Sequence, residues 1–225
     1  MNRARLIRAG IYMASTLAFL TAVIGAMHLK AARPLLAMLG VRCPIEATGA
    51  DVERARLKSA RSVRGTEVAA SRPALGFTLD TTTLTDVKAW ADKNQVSCDE
   101  SRQSTLLTCA NVPASAVGGT GPAVSEIDFG FTPNDARLVN ISAWHNRMSS
   151  TEAIAQMNTA VSGLEKQLGA PTEEKGDRTA SYLAAAPMHT AVVQYRFSDY
   201  IADVTATNLP GRGPTLREHY MSTRD

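Results

Sequence analysis

The stretch that decides the fold is SEIDFGFTPNDARLVNISAWH, residues 125–145. In its first half the apolar residues Ile127, Phe129 and Phe131 alternate with less apolar ones, as in a strand with one buried face. Its second half contains another apolar set: Leu138, Val139, Ile141 and Trp144. The residues TPND between the halves supply Pro, Asn and Asp, which favour a turn. The stretch therefore predicts an antiparallel β-hairpin.

Strand and helix signals continue on both sides of this hairpin. Further strand patterns occur at 96–98, 106–111, 191–197, 200–208 and 215–221. Thr83 with Asp86, and Ser149 with Glu152, have the spacing of a capping box at the start of an amphipathic helix. A short alanine-rich helix is predicted near 181–186. Helices followed by antiparallel strands, twice in succession, predict an α+β fold with the helices on one face of the sheet.

The N-terminal segment has the length and composition of a membrane anchor. Arg3, Arg5 and Arg8 precede residues 9–29, which contain no Asp, Glu, Lys or Arg. A helix of that length is about 30 Å long and can cross the hydrocarbon core of a bilayer. No good small-x-small site follows, so we expect an uncleaved anchor, with a cleaved signal peptide as the alternative. Small residues along it suit close helix packing; they include Ala14, Ala18 and Ala22.

The orientation of this segment does not follow from its flanking charges. Lys30, Arg33 and Arg42 follow it in a number equal to the three arginines before it. A short basic tail is costly to translocate, and a suspected disulfide favours an oxidising compartment for the rest of the chain. We therefore expect an inner-membrane, single-pass protein with its N-terminus in the cytoplasm and the bulk of the chain in the periplasm.

The chain divides into three parts on this interpretation. Residues 1–42 form a cytoplasmic tail and transmembrane anchor, residues 43–74 a juxtamembrane helix and linker, and residues 75–225 an extracytoplasmic domain. We expect the charged helix at 46–64 to be a solvated stalk or a membrane-proximal helix. The predicted fold class is thus α+β, with a single transmembrane helix followed by antiparallel sheet packed with two or three helices.

Two of the three cysteines have the pattern of a disulfide pair. Cys98 and Cys109 lie in the strand-like pieces VSC and LTC, separated by the polar run DESRQST. Outside the cytosol, two cysteines facing each other across such a hairpin are expected to form a disulfide. Two ordinary small apolar residues are the alternative. Cys43 is left over, as a buried free thiol or a link to another subunit.

Composition and motifs give no indication of catalysis. The net charge of +3 and the pI near 8.9 are mild, and they do not indicate nucleic-acid binding. None of the histidines has metal-ligand spacing, and nucleophile motifs such as G-x-S-x-G are missing: the histidines are His28, His145, His189 and His219. We therefore expect a non-enzymatic protein with no metal, no cofactor and no catalytic residues.

The densest candidate for surface recognition is QYRFSDY, residues 194–200. Tyr195, Arg196 and Tyr200 are of the residue types that anchor protein interfaces. In a strand, however, Tyr195 and Arg196 point to opposite faces. That alternation favours the alternative interpretation, in which one face of the strand lies in the core and the other faces solvent.

The phrase LGFTLDTTTLTDVKAWADK, residues 75–93, combines a glycine, a threonine cap and an Asp-Val pair entering a helix before antiparallel strands. It resembles the opening of the small SmpA/BamE-type envelope assembly-factor domains. The resemblance implies a binding domain without catalytic residues, and it transfers no site to this chain.

Three functions are compatible with these patterns. The leading hypothesis is a non-catalytic accessory or assembly subunit of a bacterial-type membrane complex, with the other subunits and the lipid bilayer as partners. The alternative is an anchored ligand-binding or sensory domain, in which the loop at 111–122 acts as a lid over a concave pocket. An envelope enzyme would require Asp, His or Ser residues distant in the sequence to converge in space.

Overall fold

Eight strands form one antiparallel sheet in the computed structural model, which describes residues 48–119 and 121–224. In chain order they are β1 (Ser97–Ser101), β2 (Leu106–Val112), β3 (Val124–Phe131), β4 (Leu138–His145), β5 (Glu173–Lys175), β6 (Thr190–Arg196), β7 (Tyr200–Leu209) and β8 (Gly213–Ser222). Their order across the sheet is β1-β2-β3-β4-β8-β7-β6-β5. The sheet thus consists of two four-stranded meanders joined where β4 pairs with β8.

The predicted central hairpin is confirmed. β3 and β4 pair with Glu126 opposite Trp144 and Phe129 opposite Ile141, and the alternating apolar residues of β3 are buried. The strand predicted at 215–221 is also present, as β8. It lies in the middle of the sheet, because both β4 and β7 pair along it.

Four α-helices accompany the sheet: α1 (Gly49–Val63), α2 (Leu84–Lys93), α3 (Ser150–Leu168) and α4 (Ala180–Ala185). The capping boxes predicted at Thr83 and Ser149 are both formed, and Thr48 heads α1 with a further one. In each box the hydroxyl of the cap accepts the N–H of the third helical residue, whose carboxylate accepts the cap N–H. Local sequence therefore determines where these helices begin.

The core lies between one face of the sheet and the helices α2, α3 and α4. One apolar cluster contains buried residues from these three helices and from the six strands that lie between the edge strands β1 and β5. Phe77, Trp90 and Phe129 pack edge to face within it, with ring centroids 5.0–5.6 Å apart.

Helix α1 packs on the opposite face of the sheet. Its Ala60 is fully buried against Ile201 and Met221, and the Arg56 guanidinium donates to the carbonyl of Ser222. The prediction of a solvated stalk is therefore wrong. The apolar stripe of α1 is thin, but it is enough for packing on the sheet, because the small side chain of Ala60 lets the helix approach closely.

Residues 65–74, expected to be a linker, also lie against the sheet. The N–H of Ser198 donates to the carbonyl of Glu67 (2.7 Å), and the N–H of Ala69 donates to Asp199 Oδ1 (2.9 Å). Long-range hydrogen bonds of this kind leave no periodic pattern in the sequence, which explains why the segment resembled a linker.

The predicted fold class requires correction. Among the described residues, no helix combines the length and the apolar character that a membrane span needs. The longest of them, α3, has 19 residues and carries Glu152, Glu165 and Lys166, so it packs one apolar side on the sheet. The predicted anchor with Ala14, Ala18 and Ala22, and also Cys43, lie outside the described residues. The structure supports an eight-stranded antiparallel sheet with few helices in place of an anchored α+β domain.

Candidate functional site

A cleft of about 620 Å³ opens between α3 and the sheet. Its walls are α3, the segment Pro73–Phe77 and the glycine-rich loop, by which we mean residues 113–119 and 121–122. Its floor is formed by β4 and β8 at the point where the two halves of the sheet meet. Elements distant in sequence therefore contribute to a single concave surface.

The segment Pro73–Phe77 is held where it begins, and an ion pair joins the residues that flank it. The Tyr200 hydroxyl donates to the Pro73 carbonyl, and the guanidinium of Arg72 pairs with the Asp80 carboxylate. Between these points Gly76 has a φ of 85°, a conformation that glycine adopts without strain. This wall of the cleft is thus tied to the body of the domain.

The glycine-rich loop is also anchored. It begins with a 3-10 helix, Ala114–Val117, whose Ala116 carbonyl accepts the Trp90 indole N–H (3.0 Å). Gly118 then turns the chain with a φ of 73°. Gly121 passes so close to α3 that a Cβ there would lie 2.8 Å from Gln156 Nε2. The loop therefore reaches α3 across the mouth of the cleft.

One flank of α3 is recessed because its residues are small. Ala160 and Gly163 line the cleft there, between Gln156 and Gln167 at neighbouring turns. A Cβ added at Gly163 would meet no atom within 4 Å, so the space beside this residue is open. The helix thus contributes an apolar recess with an amide at either end.

The floor carries three polar side chains. Tyr220 is 4% exposed and its hydroxyl donates to Glu218 Oε2. Burial, together with the Glu218 carboxylate, raises the pKa of Tyr220, so the phenol stays protonated and acts as a donor. His145 Nε2 lies 3.8 Å from Glu218 Oε1, and His145 Nδ1 is buried without a hydrogen-bond partner in the described part of the chain.

Sequence reasoning did not find this trio. His145 and Glu218 are separated by most of the second half of the chain and meet because β4 pairs with β8. The available signal was the alternation Leu216, Glu218, Tyr220, which puts a carboxylate between two buried residues on one face of a strand. A charged residue at such a position marks either a buried ion pair or a site.

The residues expected at an interface are mostly in the core. Tyr195 and Tyr200 are both fully buried, and burial raises the pKa of Tyr195 to about 12. Arg196 lies on the opposite face and pairs with Asp203, with Nη2 and Oδ1 2.5 Å apart. This segment therefore has one face in the core and one polar face, as the alternation favoured. The two tyrosines offer no surface to a partner.

The predicted cysteine pair is present. Cys98 and Cys109 are register partners on β1 and β2, and their sulfur atoms are 2.00 Å apart. Cys109 is fully buried. The bridge ties the edge strand β1 to its neighbour.

The other face of the sheet carries a network of polar and aromatic side chains, which we call the polar face: Asn140, Ser142, Trp144, Asp203, Arg217 and His219. The Arg217 guanidinium lies 5.1 Å above the Trp144 ring and donates to Ser142 Oγ (3.2 Å). His219 lies between Asn140 Oδ1 (2.6 Å) and Asp203 Oδ2 (3.5 Å). Burial lowers the pKa of His219 more than Asp203 raises it.

Neither face offers a metal centre among the residues that the structure describes, since no three His, Cys, Asp or Glu side chains are grouped to hold an ion. Comparison of the chain with protein-family models, with curated proteins and with solved structures gave no match. The similarity of residues 75–93 to SmpA/BamE-type domains stays a prediction, and the candidate site stands on its geometry.

Proposed function

We propose that residues 48–224 form a ligand-binding domain whose site is the cleft between α3 and the glycine-rich loop. The observation that carries this proposal is the cleft itself. Its walls are largely apolar apart from Gln156, Thr159 and Gln167 of α3, and three polar groups lie on its floor. Small-molecule sites typically have volumes of about 300–1,000 Å³ with mostly apolar linings and a few placed polar groups. The volume of about 620 Å³ lies within that range.

The proposed role is binding without catalysis. The described residues that line the cleft include a carboxylate, an imidazole and a phenol, but none of them is a serine or cysteine. These three groups can accept and donate hydrogen bonds to a ligand, which is what orientation and specificity require. The proposal therefore assigns them to recognition.

We further propose that the domain works outside the cytosol, at the cell membrane. The disulfide between Cys98 and Cys109 supports an oxidising compartment, because cytosolic thiols are kept reduced. The uncharged run at 9–29 supports proximity to lipid on composition alone. Separation of membrane and soluble fractions, with thiol labelling before and after reduction, tests both parts.

The test of the binding proposal is a substitution that fills the cleft. Tryptophol, a neutral indole alcohol, is titrated into the full chain by calorimetry, with Gly163→Leu as the variant. A Cβ at position 163 would meet no atom within 4 Å, so a leucine side chain starts in open space at the edge of the cleft. Affinity is expected to fall about tenfold or more while the fold is retained. Ser162→Leu adds the same side chain to an exposed neighbouring position outside the cleft and is the matched control. The proposal would be contradicted if both variants bound tryptophol equally well. It would also be contradicted if the unsubstituted chain showed no saturable tryptophol binding.

An accessory or assembly subunit is the second candidate, favoured by the polar face. Trp144 and Arg217 belong to residue types enriched at interface hot spots, and they stack on each other. Among the described helices, α1 packs on this face of the sheet. Gentle extraction of the native protein and identification of co-purifying chains tests this function. Trp144→Ala is expected to release a partner without changing tryptophol binding, and recovery of a lone monomer would count against the assignment.

A further inference from the structure

We infer that the cleft selects ligands that carry one cationic nitrogen on an apolar body, with the Glu218 carboxylate as the partner of that nitrogen. This inference rests on the proposed function of the cleft and adds the chemical class of the ligand.

The charge of the lining residues has one sign. Glu218 is the single carboxylate among the described residues that line the cleft, and none of those residues is Lys or Arg. The Glu218 side chain is 13% exposed, so most of its hydration has been removed. A partly buried carboxylate is stabilised when it meets a cation or several hydrogen-bond donors. The cleft therefore offers a carboxylate that no Lys or Arg of the described lining neutralises.

The guanidinium of the neighbouring residue Arg217 does not neutralise the Glu218 carboxylate. Arg217 precedes Glu218 on β8, but successive side chains of a strand point to opposite faces. Its guanidinium donates to Ser142 and stacks on Trp144, both on the polar face. The sheet thus lies between the guanidinium and the cleft.

Hydrogen bonding leaves one oxygen of the carboxylate available. Tyr220 donates to Oε2 and, because the phenol is buried, holds the carboxylate in one orientation. His145 Nε2 is 3.8 Å from Oε1, beyond hydrogen-bond distance. Oε1 can accept a charge-assisted hydrogen bond from an ammonium or amidinium group, which is stronger than one from a neutral donor. Tyr220 is then a positioning residue for Glu218.

The remainder of the ligand faces apolar walls. Above the floor the lining includes Leu75, Phe77, Val117, Pro122, Ala160 and Leu164. Burying an apolar body against these side chains supplies affinity in proportion to the area removed from water. A cationic head with an aromatic or branched aliphatic body combines both requirements.

The experiment compares three probes that share an indole ring. Tryptamine is cationic near neutral pH, tryptophol is neutral and indolepropionate is anionic, and each is titrated into the full chain by calorimetry. Tryptamine is expected to bind about tenfold more tightly than tryptophol, as one charge-assisted hydrogen bond allows, and indolepropionate to bind most weakly. Glu218→Gln should remove the preference for tryptamine, so that tryptamine and tryptophol bind with similar affinity.

Two further variants separate recognition from stability. Glu165→Gln removes an exposed carboxylate of α3 outside the cleft and should leave all three affinities unchanged. Tyr220→Phe leaves the charge in place but frees the carboxylate, so the tryptamine preference should decrease severalfold without being lost. Tryptophol binding that stays saturable in each variant shows that the cleft is still formed.

The outcomes distinguish this inference from the function on which it rests. If all three probes bind equally and Gly163→Leu weakens each of them, the cleft binds ligands but the cation inference is overturned. Preference for indolepropionate would also overturn it and would indicate His145 as the partner of the ligand. If no probe binds, the proposed function fails and the inference fails with it.

Discussion

Removal of the Cys98–Cys109 bridge gives the most quantitative test of how this fold is held together. The two cysteines are 11 residues apart, so the bridge closes a short loop in the unfolded chain. For a loop of about 12 residues, the chain-entropy relation gives a stabilisation of about 3 kcal/mol. Reduction of the folded protein should therefore lower the free energy of unfolding by about that amount.

Replacement of both cysteines by alanine should cost slightly more. Cys109 is fully buried in the core, so deleting its sulfur atom also removes apolar packing. Losing one methylene-sized group costs about 1 kcal/mol, which makes the expected loss for the double variant about 4 kcal/mol. The difference between the reduced protein and the double variant then isolates the packing contribution.

The assay is urea unfolding monitored by circular dichroism, carried out in a Cys43→Ser background so that only this pair responds to reductant. The free energy is obtained by linear extrapolation, and an unchanged slope shows that the same surface is exposed on unfolding. Thermal melting should give a midpoint about 6–12 °C lower on reduction, since each kcal/mol shifts it by about 2–4 °C for a domain of this size.

A loss below about 1 kcal/mol on reduction would refute this reasoning, because it is well under the loop-entropy estimate. It would mean that β1 and β2 open independently of the remaining sheet, as an edge hairpin can. Hydrogen exchange would then show fast exchange confined to Ser97–Val112 while the central strands stay protected. Global loss of protection together with the stability change is the result expected here.

Three further changes test separate parts of the structure. Gly65→Ala should destabilise by about 1–3 kcal/mol in urea unfolding, because a Cβ would lie 2.1 Å from the Arg196 carbonyl oxygen. Gly163→Ala should instead stabilise by about 1 kcal/mol, as expected for an open helical position, and an unchanged melting temperature would contradict this. Burial lowers the pKa of His219 below its ordinary 6.5, so the unfolded chain takes up the proton first and stability falls as pH falls below that value. His219→Gln should reduce this dependence, and an identical pH profile would exclude His219 as its cause.

Local patterns were sufficient where the physical cause was local. The hairpin at 125–145 follows from alternation and turn residues, and the helix starts at Thr83 and Ser149 follow from hydrogen bonds that span three residues. The cysteine pair belongs to the same class, since its two strands are joined by a short loop. In each case the interacting groups are close in the chain.

Patterns were insufficient where distant elements compete for the same surface. The helix at 49–63 is mostly charged, and its place on the sheet depends on Ala60 meeting Ile201 and Met221. Tyr195 and Tyr200 have the chemistry of interface residues, but the helices cover their face of the sheet. Residue type alone does not indicate which face of the sheet the helices pack against.

By itself, the sequence determined seven of the eight strands, the helix starts at Thr83 and Ser149, the cysteine pair and the mild overall charge of this protein. Only the tertiary structure decided that β8 lies between β4 and β7, and with it that Glu218 and Tyr220 meet His145 beneath α3. The physical reason is that strand order depends on how much apolar surface each whole face of the sheet buries. The free energy of that burial is the sum of small contributions from many residues. A site made at the junction of two meanders has no counterpart in any continuous stretch of the chain.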